Sequence, residues 1–222
     1  TLGSSDTLSG PDLRISNAGA AGDPAVIAVG SDATLDVAAL DNGAFGEVTN
    51  AGTIISVAAV SNAADGTLTN TATGAIDADV TTAGTLSNAG TLTGALDVTD
   101  GTATNTGTVA WATSVAAAGV VTNAGTLGDL ANAGSFTQSA GQVGAVTNSG
   151  TLALDAGSAG DVTNAGIATS AASIGALAQS AGSFENSGTV AGAADITGGT
   201  VTTVAGATMA DVAIGSAARL DT

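Results

Sequence analysis

Apolar side chains larger than Ala seldom stand in long runs in this chain. They recur one or two at a time on alternating positions, between short clusters of Gly, Asn, Ser and Thr. In Leu92-Thr93-Gly94-Ala95-Leu96-Asp97-Val98 the residues Leu92, Leu96 and Val98 fall on one parity. A period of two over about four to eight residues, bounded by turn formers, predicts half-buried β-strands. Glu, Lys, Arg and Met are nearly absent, which leaves an α-solenoid nothing to build from.

The polar punctuation repeats. An Asn, a small residue and a Gly recur at Asn17, Asn50, Asn88, Asn105, Asn123, Asn132, Asn148, Asn164 and Asn186, and Asn70 opens a longer variant ending at Gly74. The flanks recur with them, as Val48-Thr49 before and Thr53-Ile54 after, then Leu86-Ser87 and Thr91-Leu92, then Val121-Thr122 and Thr126-Leu127. From Asn50 to Asn123 the steps are 20, 18, 17 and 18 residues, and from Asn132 to Asn164 they are 16 and 16. The step of 9 from Asn123 to Asn132 is half a period. Two further phrases return: Val29-Gly30-Ser31-Asp32-Ala33-Thr34-Leu35-Asp36 as Ile214 to Asp221, and Gln138-Ser139-Ala140-Gly141 as Gln179 to Gly182.

Asn and Gly tolerate positive φ, so each phrase reads as a corner between strands. A strand-turn-strand unit repeated at this spacing predicts an all-β, single-stranded parallel β-solenoid of roughly 12 coils, about 16 to 20 residues each. Equivalent side chains then stack from coil to coil. The ten Asn residues are expected to form turns and axial amide ladders rather than a ligand site. Both prolines, Pro11 and Pro24, fall near the start, so residues 1–30 read as a lead-in or capping segment and 31–222 as solenoid.

At these phrases, over about residues 12 to 221, the sequence resembles the passenger regions of bacterial autotransporters and filamentous-haemagglutinin-like adhesins. Val-Thr-Asn-Ala-Gly-Thr-Leu and Gly-Ser-x-Ala-x-Leu carry the resemblance. It implies export and display at a cell surface and identifies no ligand; a host, cell or matrix surface is the partner expected of an adhesive solenoid. The chain departs from the pattern in having neither a C-terminal aromatic-girdled barrel nor a recognisable N-terminal secretion domain.

Composition narrows the function. Hydrophobic residues make up 44% of the chain, which argues against disorder, but only three Phe and one Trp are aromatic, so the core must be thin. Nineteen acidic residues stand against Arg14 and Arg219, for a net charge of −17. Nucleic acid is excluded as a partner, because binding it needs cations to displace counterions. Anionic membrane surfaces are disfavoured on the same ground, and no run of about 18 apolar residues predicts membrane insertion. The chain opens on Thr1 without a charged-then-apolar leader, as a processed product or an excised piece does.

Without His, Cys, Tyr or Lys there is no Ser-His-Asp triad, Cys or His metal site, Schiff base or P-loop. Carboxylate pairs remain, Asp77 with Asp79 and Asp97 with Asp100. Both read as solvated surface groups, since cleaving an acidic glycan also needs cations, so no enzyme and no catalytic residue is expected. No cofactor is expected either. Asp41-Asn42-Gly43 matches a fragment of a calcium loop without the remaining ligands, which allows weak incidental calcium at most. Three functional readings follow: an extracellular structural or adhesive solenoid, the subunit of a fibre built by end-to-end self-association through open strand edges, and an ice-binding protein. Thr67, Thr69, Thr71 and Thr73 raise the third, but the Thr residues are expected to flank corners instead of repeating Thr-x-Thr on one flat face.

Overall fold

The structure, a computed structural model, describes residues 1–222. It contains 32 strands and no helix. Each strand pairs in parallel with the one three further along the chain; thus Thr85–Asn88 lies between Thr67–Asn70 and Thr102–Asn105, residue on residue. Three strands therefore make one coil with three walls. Thirty strands in threes give ten coils, and the long strands Thr189–Thr203 and Thr208–Asp221 each run a whole coil, twelve in all. The fold is an all-β parallel β-solenoid. It divides into two compact units, Thr1–Val121 and Thr122–Thr222.

In Thr1–Val121 the inward positions of each wall form a column. The first wall stacks Leu35, Ile54, Ile76, Leu92 and Val109. The second stacks Val60, Val80 and Leu96, and the third Val48, Leu68, Leu86 and Ala103. None of these is more than 3% exposed. Burying each Leu or Ile contributes about 1.5–3 kcal/mol, so a core one side chain deep on each wall is sufficient when repeated coil after coil.

In Thr122–Thr222 the third wall stacks Phe136, Leu152, Ala168 and Phe184, and the second stacks Leu130, Val146, Val162 and Leu177. Two of the chain's three Phe thus fill the space left by their smaller neighbours. A narrow core of branched and small residues is what the composition allowed.

Local geometry departs from expectation in three places. The alternating stretch 92–98 is two strands, Thr91–Leu92 and Leu96–Val98, with a corner between them. Leu92 and Leu96 keep one parity yet belong to different walls. Coil length is also broader than 16 to 20 residues: Asn17 stacks on Asn42, 25 residues on, whereas Asn164 stacks on Gln179, 15 residues on. The early coils spend the difference in longer turns, such as the one closed by mutual hydrogen bonds between Ala20 and Asp23. Later corners shrink to two residues.

The third departure concerns the repeated phrase at 29–36 and 214–221. Its first copy turns at Asp32, φ 61°, from the third wall into the first, while its second copy rounds a different corner, from Ile214 on the second wall to Arg219 and Leu220 on the third, within the continuous strand Thr208–Asp221. Residues 1–30, read as a lead-in segment, carry Thr7–Ser9, Arg14–Asn17 and Ala25–Val29, each paired in parallel register with the next coil.

Candidate functional site

The Asn residues singled out in the sequence do not share one corner. Asn17, Asn132, Asn148 and Asn164 end strands of the second wall, and Asn50, Asn70, Asn88, Asn105, Asn123 and Asn186 end strands of the third. The half-period step from Asn123 to Asn132 is the change from one corner to the other. All ten are buried.

Within Thr1–Val121, Asn50 Nδ2 donates to Asn70 Oδ1 at 2.8 Å, Asn70 to Asn88 at 2.8 Å and Asn88 to Asn105 at 2.7 Å. At the other corner Asn17 donates to Asn42 at 2.8 Å, Asn42 to Asn62 at 2.7 Å, and Asn62 to the Thr82 hydroxyl at 2.9 Å. Within Thr122–Thr222, Asn132, Asn148 and Asn164 pass the same bond along at 2.7 Å per step, and Asn164 ends on Gln179 Oε1 at 2.8 Å. Asn123 donates to Gln138 Oε1 at 3.3 Å. Asn186 stands between Ser170 and Thr203 in register, donates to the Thr208 carbonyl and accepts from Gly188 N–H.

Asn42, Asn62, Gln138 and Gln179 are rungs outside the ten. The repeated Gln-Ser-Ala-Gly phrase was the available signal for the Gln pair: it is the Asn-small-Gly corner with a longer amide. Asn42 sits inside the fragment that resembled a calcium loop. Its amide is fully buried in the ladder, and Asp41 beside it accepts from the Ser61 hydroxyl at 3.1 Å. No group of three or more acidic side chains is placed to hold a metal ion.

The acidic residues are spread in a regular way. On the first wall Ile55 separates Asp36 from Asp77, and on the second Ser61 and Thr81 separate Asp41 from Asp97. At the corner between first and second walls, Asp79 accepts the Ala95 N–H at 2.8 Å, Asp129 that of Ala145 at 2.9 Å and Asp161 that of Ala176 at 2.8 Å. Each carboxylate thus caps an amide of the next coil, and the next coil carries Ala in its place. Carboxylates on adjacent coils would stand about 4.8 Å apart. Skipping a coil doubles that distance to near the screening length of about 10 Å.

The carboxylate pairs weighed for catalysis are differently placed. Asp77 accepts from the Thr93 hydroxyl at 2.6 Å and Asp79 from Ala95 N–H, both facing one groove. Asp97 lies on the second wall, whereas Asp100 caps its own turn by accepting Gly101 N–H at 2.7 Å. The groove has a volume of about 530 Å³ and runs along one corner of Thr1–Val121, from Val57 past Asp77, Asp79 and Thr93 to Trp111.

The outward side of the third wall corrects the expectation about threonine. In Thr1–Val121, Thr67, Thr85 and Thr102 stack in one column, and Thr69, Ser87 and Thr104 in a second, with Thr49 below it. These are Thr-x-Thr and Thr-x-Ser pairs repeated on one wall. Thr71 and Thr73, which extend the alternation in sequence, lie in the turn beyond Asn70. Glu47 is the nearest acidic residue on that wall, in a chain of net charge −17. In Thr122–Thr222 the same wall is broken up, with Ala153, Ile167 and Glu185 among the hydroxyls.

No family model, curated protein or solved structure matches this chain. Its likeness to autotransporter passengers rests on the quoted phrases and is compatible with the observed coil.

Proposed function

We propose that this chain is a non-catalytic adhesive or structural solenoid, displayed outside the cell, whose contact face is the hydroxyl wall of Thr1–Val121. The carrying observation is the pair of uncharged columns, Thr67-Thr85-Thr102 and Thr69-Ser87-Thr104. Nineteen acidic residues are spread over the chain, yet none interrupts these three coils on that wall. Charged side chains hold water strongly and resist dry contact, so an uncharged hydroxyl field is the place where a surface can approach. Behind these columns the interior is filled by Leu68, Leu86 and Ala103.

The test has two parts. Antibody labelling of intact producing cells should stain their exterior. Protein-coated beads should adhere to a cell layer or matrix film, and Thr85→Lys with Thr102→Lys should cut the adhesion force several-fold while leaving the melting curve in place. Absence of external label, or equal adhesion by the variant, would remove this reading.

The same columns favour a second reading, ice binding. Hydroxyls about 4.8 Å apart along the axis and about 6.6 Å apart along each strand form a regular two-dimensional grid of the kind that can order water. This reading needs no macromolecular partner, and thermal hysteresis separates it from adhesion.

A further inference from the structure

Val57 and Trp111 are the two most solvent-exposed large apolar side chains in the chain, at 85% and 68%, and they lie along the same groove. Phe136 and Phe184, by contrast, are buried. Trp111 occupies a corner where the coil before it has Gly94 and later coils have Gly128, Gly144 and Gly160. The fold therefore closes this corner without an indole. A Trp this exposed is a large apolar surface held in water at a cost, and such surfaces mark binding sites.

Two carboxylates and two hydroxyls, Asp77, Asp79, Ser56 and Thr93, line the groove between these two side chains. Asp77 and Asp79 each commit Oδ1 to an internal hydrogen bond, with the Thr93 hydroxyl and the Ala95 N–H. Each carboxylate keeps a second oxygen, and a carboxylate oxygen accepts strongly from hydroxyls. No cation lines the groove, so anionic ligands are repelled. The groove spans four coils, from Val57 through Asp77 and Thr93 to Trp111, or about 14 Å at about 4.8 Å per coil. That is the length of a short oligosaccharide.

We infer that this groove binds a neutral saccharide. One pyranose ring lies with its C–H face on the Trp111 indole, and the hydroxyls of the next ring donate to Asp77 and Asp79. The inference goes beyond the adhesive reading, since the groove lies at the corner between first and second walls and the hydroxyl columns lie on the third.

Trp111 is the only Trp, so its fluorescence reports the groove directly. Titrations with cellotetraose, chitotetraose and mannotetraose should give, for at least one of them, a saturable blue shift that tetragalacturonate does not give. By calorimetry, Trp111→Ala should weaken that sugar at least tenfold. Asp77→Asn, which keeps an acceptor for Thr93, should weaken it several-fold.

No saturable response to any neutral tetrasaccharide up to millimolar concentration would overturn the inference. So would a response confined to tetramethylammonium, which would make this a cation site. Bead adhesion by wild type and Trp111→Ala separates the two proposals. If both adhere equally and no neutral tetrasaccharide binds, the groove inference falls and the adhesive reading stands. If neither adheres while the sugar still binds, the adhesive reading falls and the groove is assigned.

Discussion

Asn50 donates to Asn70 Oδ1 at 2.8 Å, yet its own buried Oδ1 accepts nothing. It is the first amide in its column, because the residue paired with it in the preceding coil is Val29. A ladder of amides has a direction, and its first acceptor is left over.

That asymmetry makes the rungs unequal. Replacing Asn70 by Val removes the donor to Asn88 Oδ1 and to the Gly74 and Thr91 carbonyls, and the acceptor for Asn50 Nδ2. Four groups lose a partner, at about 1–3 kcal/mol for each one left buried and unpaired. Replacing Asn50 by Val orphans only Asn70 Oδ1 and the Ala75 carbonyl, which Asn50 also serves, while relieving its own unpaired oxygen. Urea unfolding should therefore rank Asn70→Val as more destabilising than Asn50→Val, with the exposed Asp100→Asn close to wild type. Equal midpoints for all three would remove the ladder as a source of stability.

A second ranking comes from the corner where Asp129 caps Ala145. A Cβ at Gly144 would strike the Asp129 carboxylate, and it would also approach the backbone at Asp129 N and Gly128 C to 3.0 Å. Gly144→Ala should be strongly destabilising. Asp129→Ala alone should cost about 0.5–1.5 kcal/mol, the net worth of one hydrogen bond. The double variant should be more stable than the sum of the two predicts, because removing the carboxylate clears one of the two clashes. Additive melting shifts would mean that the backbone contact alone decides the Gly.

The coil was legible in the sequence because its signals are local. Each Asn-small-Gly phrase marks a corner by itself, and alternation marks a wall by itself. The number of corners per coil was not legible. Asn123 and Asn132 look alike in sequence, and only the pairing of Asn132 with Asn148 and of Asn123 with Gln138 separates their columns.

Threonine misled for the same reason. Thr67 and Thr69 look like flanks of the Asn70 corner, and they become a field only when Thr85, Ser87, Thr102 and Thr104 stack on them. Trp111 left no periodic signal, since it interrupts the pattern instead of joining it. The phrase shared by 29–36 and 214–221 marks the limit: similar residues round the corner from third to first wall in one place and from second to third in the other.

The hydroxyl wall gives a cheap test between its two readings. If it orders water, purified protein should depress the freezing point below the melting point and slow the recrystallisation of ice. Thr85→Lys, in the middle of the grid, should abolish most of that gap without moving the unfolding midpoint. A freezing gap below detection at millimolar protein would discard the ice reading and leave adhesion as the role of this wall.

The spacing of the carboxylates leads to the last expectation. Ile55 faces outward on the first wall, with Asp36 paired to it on one side and Asp77 on the other. Ile55→Asp would place three carboxylates in one column about 4.8 Å apart, where the native chain keeps two at twice that distance. Like charges directly opposite on neighbouring strands destabilise by roughly 0.2–1 kcal/mol per pair, and this change creates two such pairs. Ile55→Asn supplies the control, with the same shape and the same loss of apolar contact but no charge. Ile55→Asp should therefore melt below Ile55→Asn in low salt. The gap should close as the screening length falls from about 10 Å at 0.1 M to about 3 Å at 1 M salt. Nearest-neighbour repulsion of this kind is short in range and exposed to solvent, so salt should erase most of it. A gap that persists unchanged at 1 M salt would show that the cost of the new Asp lies in its burial or shape, and the alternation of acidic and neutral coils would then need a cause other than charge.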